Sequence, residues 1–157
     1  MTSGPLRPTT LQVDLDAAAE NLRAVRGLVG PSRKIFAVVK ADGYGFGAAE
    51  MGAVFARNGA DYLAIADLTE GIRLRQRGIA TPILVYPNSL PGAAADTLAH
   101  GLVPTLVDLD AARAYSEAVR APRGAGRTRG ETDRGDARAE SPPPRWTVRP
   151  SPRRGRR

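Results

Sequence analysis

The run Val38–Gly47, VVKADGYGFG, sets one primary amine directly after an apolar stretch and then alternates three glycines with Tyr44 and Phe46. Side chains alternate along a strand, so in KIFAVVK the residues Lys34, Phe36, Val38 and Lys40 share one face, and Ile35, Ala37 and Val39 the other. Lys34 stands at the start of that strand and Lys40 at its exit. Parallel α/β architectures bind ligands at the carboxyl ends of their strands. Lys34 therefore reads as a solvated charge and Lys40 as the position for chemistry. A lysine on the rim of an apolar site is partly desolvated, and its neutral amine attacks a carbonyl to give a Schiff base. The carbonyl partner is either a substrate or pyridoxal phosphate. The plainer alternative is that Lys40 snorkels to water at a strand end.

Gly43, Gly45 and Gly47 permit a tight turn between this strand and a helix beginning near Ala48, and the Tyr44 hydroxyl can donate to a phosphate oxygen. The competing reading is an ordinary strand-to-helix turn with packing aromatics. The spacing is GxGxG, which fails the GxGxxG dinucleotide fingerprint, and Lys40 precedes the glycines, which fails the Walker pattern. No metal site is expected: there is no cysteine, and the single histidine, His100, sits before Gly101 at a helix end. Asp14, Asp16, Asp67 and Asp108 read as turn and cap residues, Asp42 as a turn residue, and Arg73, Arg75 and Arg77 as a solvated helix face.

Short apolar runs at 11–15, 34–39, 61–66, 82–86 and 102–106 alternate with helix-patterned segments. Asp16 is expected to cap a helix with the stripe Ala18, Leu22, Val25 and Leu28, stopped by Gly30-Pro31. Met51, Val54 and Phe55 mark the next helix, and Asp67 with Glu70 makes a capping-box-like start to the one ending at Gly78. A shorter helix is expected over 92–99, and a last one opens at Asp108 with Ala111, Tyr115, Ala118 and Val119 on one stripe. Strands alternating with helices at this spacing predict βαβ units and a parallel sheet. Five units fit either an open doubly wound sheet or part of a (β/α)8 barrel, a fold of about 250 residues.

Charge divides the 157-residue chain. Residues 1–120 hold 12 basic and 12 acidic side chains, while 121–157 hold 11 arginines against 4 acids and account for the whole net charge of +7. That second segment has six prolines and no Ile, Leu, Met or Phe, too little apolar surface to offset ordering. The expected organisation is a flexible N-terminus over 1–10, a folded body over 11–120, and a disordered Arg/Pro/Gly-rich basic tail over 121–157. The tail reads as a frameshift product, or else as a salt-sensitive nucleic-acid-binding extension in a non-catalytic protein. An apolar signal-peptide core and an 18-residue apolar run are both lacking, so no membrane partner and a cytoplasmic location are expected.

The segment VVKADGYGFG resembles the cofactor-lysine signature of alanine racemases, and the opening Val13–Ala17 and the segment from Gly59 to Val85 resemble the same family. The resemblance covers about residues 11–120. It implies the (β/α)8 barrel of fold-type III pyridoxal enzymes, present here as a partial barrel of about five units. It also implies pyridoxal 5'-phosphate held as an internal aldimine on Lys40, with Tyr44 bonded to its phosphate and Tyr86 near the cofactor pocket. The implied reaction interconverts L- and D-alanine in a homodimer, supplying D-alanine for peptidoglycan, with Lys40 as one base and a tyrosine of the other subunit's C-terminal domain as the second. Phe46 departs from the family, where histidine is common at that place. Family members are more than twice this long, so the chain alone is expected to be inactive. Another fold-type III amino-acid racemase or a decarboxylase-like fragment is the alternative within the class.

Overall fold

The computed structural model describes residues 11–86 and 89–121. Four strands form one parallel sheet in the order β1 (Phe36–Val38), β2 (Tyr62–Ile65), β3 (Ile83–Val85), β4 (Val103–Pro104). The register pairs Phe36 with Tyr62, Ala64 with Leu84 and Leu84 with Val103. Strand order follows chain order without a reversal. A doubly wound sheet reverses its order at a switch point, so this winding is that of a barrel segment.

The helices are α1 (Leu15–Val29), a five-residue helical segment α2 (Lys40–Tyr44), α3 (Ala48–Arg57), α4 (Leu68–Gln76), α5 (Ala94–Ala99, preceded by a 3-10 turn at Pro91–Ala93) and α6 (Leu109–Arg120). Asp67 and Asp108 cap α4 and α6 as expected, their carboxylates accepting from the amides of Glu70 and Ala111. The first helix differs from expectation. Its cap is Asp14, which accepts from the Ala17 amide at 3.0 Å, and the helix begins at Leu15. Leu11–Asp14 is consequently not a strand, and the expected five strands are four among the described residues. A carboxylate placed to satisfy an orphan helix amide decides this start against the weak alternation of LQVDL. The expected α1 stripe is also only half used: Ala18 and Leu22 are buried, while Val25 and Leu28 are exposed.

The core lies on one face of the sheet. Ala37 and Val39, Leu63 and Ile65, and Ile83 and Val85 point from the strands into a cluster with Leu22, Ala48, Leu74 and Leu102. The other face carries Phe36, Val38 and Val103, each more than a third exposed, with Phe36 stacked on Tyr62 at 4.4 Å between ring centres. Burial alternates along β1 as the sequence suggests, whereas in β2 Ala64 is buried between Leu63 and Ile65, so the open face lies mainly at Phe36, Val38 and Val103.

At the amino end of the sheet, the Asp61 carboxylate accepts from the Ile35 amide (2.9 Å), from Lys34 Nζ (2.9 Å) and from the Arg26 guanidinium. Lys34 is accordingly an ion-pair partner on an exposed stem, not a free solvated charge. Arg75 also departs from the solvated-face reading. Its guanidinium donates to the carbonyls of Ile79 (2.6 Å), Thr81 (2.8 Å), Gly101 (2.9 Å) and His100 (3.1 Å), fastening the end of α4 to the loops before β3 and β4. The basic tail at 121–157 lies outside the described residues, apart from Ala121.

Candidate functional site

Lys40 is the first residue of α2, two positions beyond the last residue of β1, at the carboxyl end of the sheet. The strand still holds the backbone just before it, because the Val39 amide donates to Ala64 O at 2.8 Å. Lys40 is partly buried. Tyr86 stands at the same end, one residue past β3, with its amide on Ile65 O at 2.8 Å and its side chain exposed. The parallel topology therefore gathers Lys40 and Tyr86 at one rim, and leaves Lys34 and its Asp61 partner at the other.

The backbone after Lys40 winds left-handed. Ala41, Asp42, Gly43 and Tyr44 have φ of 51°, 52°, 63° and 57°, and three of the four carry a Cβ. A left-handed turn brings Cβ against the following carbonyl at about 1–2 kcal/mol per residue, so neighbours must hold it. Several hydrogen bonds do. Gly43 N donates to Val39 O (2.9 Å), Gly45 N to Ala41 O (3.0 Å) and Gly47 N to Asp42 O (2.8 Å). The Asp42 carboxylate accepts from Ala48 N at 2.9 Å across the start of α3, which gives this residue a defined part beyond a turn preference. Gly43 is buried, and a Cβ there would lie 3.2 Å from Ala48 N, so the close approach of turn and helix needs glycine.

Tyr44 ends the turn with its ring more than half exposed, so its hydroxyl is available to a ligand. Phe46 is likewise exposed. The pair Lys40 and Tyr44 fits pyridoxal phosphate by donor chemistry, offering one primary amine for an aldehyde carbon and one phenol for a phosphate oxygen. His100 ends α5, with Nδ1 2.8 Å from Asp96 O. Among the described residues no three His, Asp or Glu side chains come together to hold a metal ion.

One residue of this rim was read from the sequence only as a helix-start residue. Glu70 sits in the first turn of α4, and its carboxylate leaves the usual capping-box geometry to accept from Ala41 N at 2.6 Å and from Ala66 N at 2.8 Å. The D-x-x-E spacing signals the helix start, but nothing local signals a partner 29 residues away.

Residues 13–134 match the family described as alanine racemase, N-terminal domain, a span running 14 residues past the expected end of the body at 120. The chain is 37% identical over 108 residues to alanine racemase 1 of Caldanaerobacter subterraneus subsp. tengcongensis, covering 69% of this chain and 28% of that protein. It is 42% identical over 103 residues to the alanine racemase of Symbiobacterium thermophilum, covering 66% and 27%. Among solved structures it is similar to alanine racemase from Clostridium difficile 630, with a TM-score of 0.66 at 35% identity over 69% of this chain and 28% of that one. It is also similar to the enzyme from E. faecalis, at 0.65 and 31% over 74% and 32%. The chain thus spans between about a quarter and a third of the length of these relatives. Strand winding, motif and matched span agree, and the chain belongs to the alanine racemase N-terminal domain family as a partial (β/α)8 barrel.

Proposed function

We propose that this chain is the cofactor-lysine part of a pyridoxal-phosphate-dependent alanine racemase, interconverting L- and D-alanine and thereby supplying D-alanine for the cell wall. The observation that carries the reading is Lys40 at the carboxyl end of β1, followed at once by a left-handed turn that ends on the exposed phenol of Tyr44. Lys40 is the residue to bind the cofactor aldehyde through its amine, and Tyr44 to donate to a phosphate oxygen. Bound pyridoxal phosphate supplies the electron sink for the charge left when the substrate Cα gives up its proton. Lys40 Nζ, freed once the substrate amine takes its place on the aldehyde carbon, would take or return that proton on one face of the substrate. The opposite face needs a second base. The family resemblance assigns it to a tyrosine in the C-terminal domain of a partner subunit, beyond the matched 13–134 span. On this reading activity belongs to a homodimer in which that C-terminal domain is present.

The test is a pyridoxal phosphate titration of the purified chain beside Lys40→Ala, followed by the visible absorption band of the lysine-bound cofactor. A saturable band in the parent that is lost in the variant supports the reading. No band from a parent chain shown to be folded by circular dichroism overturns it.

A further inference from the structure

We infer that Glu70 is the positioning residue for Lys40: its carboxylate ties the first amide after Lys40 to the exit of β2 and thereby holds the strained turn that presents the amine. The inference rests on the assignment of Lys40 made above. Both oxygens are used, Oε1 by Ala41 N at 2.6 Å and Oε2 by Ala66 N at 2.8 Å. The two amides belong to different strand exits, since Ala41 follows β1 and Ala66 follows β2. Carboxylate acceptors form stronger bonds than neutral ones, and two on one group fix orientation as well as distance. The bond to Ala41 falls on the first residue of the left-handed run, where φ turns from −127° at Val39 to 51° at Ala41. The far end of the run is held separately, by Asp42 O and Oδ1 on Gly47 N and Ala48 N. Glu70 is in turn seated by Asp67, whose carboxylate accepts from the Glu70 amide at 3.0 Å. A rigid α4 start thus reaches across β2 to the backbone of Lys40, with no contact to the amine required.

The chain has only two lysines, Lys34 and Lys40, at opposite ends of one strand, so Lys34 is an internal control for amine reactivity. The experiment incubates parent, Glu70→Gln and Glu70→Ala chains with pyridoxal phosphate, traps with borohydride, and measures the Lys40 to Lys34 labelling ratio by peptide mass. Amide hydrogen exchange at Ala41 and Ala66 is followed in the same samples without cofactor. Gln keeps the length but turns an NH2 toward one of the two amides, so it can accept from only one. The expected result is a labelling ratio about 10-fold lower in Glu70→Ala, intermediate in Glu70→Gln, with faster exchange at both amides and unchanged circular dichroism. An unchanged ratio with unchanged exchange in a folded Glu70→Ala chain overturns the inference, as does faster exchange with an unchanged ratio. Unfolding of both variants also overturns it, because Glu70 is then a general stability residue. If the parent shows no preference for Lys40, the cofactor assignment fails on its own, and exchange at Ala41 alone then decides whether Glu70 holds the turn.

Discussion

At the level of single residues, the proposed cofactor chemistry rests on two side chains, Lys40 and Tyr44, and on a backbone conformation that resists forming. Tyr44 lies at φ 57° with its ring exposed, so its packing contributes little and its hydroxyl is the part that the proposed function uses. Tyr44→Phe keeps the ring and removes only the donor. It should raise the apparent Kd for pyridoxal phosphate about 10-fold, corresponding to about 1.4 kcal/mol for a hydrogen bond to a charged group. The absorbance titration checks this, and the unfolding midpoint should stay where it is. Asp42 was legible as a turn residue because Asp tolerates the left-handed region. Its acceptance from Ala48 N six residues on was not, since that bond exists only once the turn has closed.

Elements here are fastened to one another by charged side chains that take backbone partners. Asp61 joins α1, the start of β1 and the start of β2. The Ile35 amide first, then Lys34 and Arg26, hold its carboxyl well below the usual aspartate range. A depressed folded pKa gives stability that is complete above the unfolded value of about 3.9 and is lost as pH falls below it. Asp61→Asn should therefore lower stability at neutral pH and flatten its decline below about pH 4, as urea unfolding across pH would record. Arg75 does the corresponding task for α4 with four carbonyl acceptors, and partial burial lowers its pKa without removing its charge. Arg75→Ala should cost about 2 kcal/mol in denaturant unfolding, and Arg75→Lys should recover only part of it, because an ammonium lacks the planar fork.

Over the whole molecule the asymmetry of the sheet dominates. One face is packed under α1, α3 and α4, and among the described residues the other presents Phe36, Val38, Tyr86 and Val103 more than a third exposed. A parallel sheet is ordinarily covered on both faces. The purified chain should consequently associate with rising concentration and bind a hydrophobic dye. Phe36→Ser should reduce both by sedimentation velocity and fluorescence, with the helix-side core intact.

Period and punctuation were enough for the class of fold, for all four strands among the described residues within a residue or two, and for the caps Asp67 and Asp108, because these depend on neighbours a few residues apart. The place of Lys40 at a strand exit followed from the same local pattern, and the family from the motif around it. Three features could not be seen that way: the helix start at Leu15 in place of a first strand, the four carbonyls gathered by Arg75, and the bridge from Glu70 to Ala41. The first is a local cap, Asp14 on the Ala17 amide, whose signal competes with the apolar alternation of LQVDL and with Asp16 two residues on; the other two depend on polar groups that take partners brought to them by the fold. A buried or strained backbone must find its hydrogen bonds wherever packing brings a partner. Such partners are chosen by the fold, at separations over which a sequence carries no period.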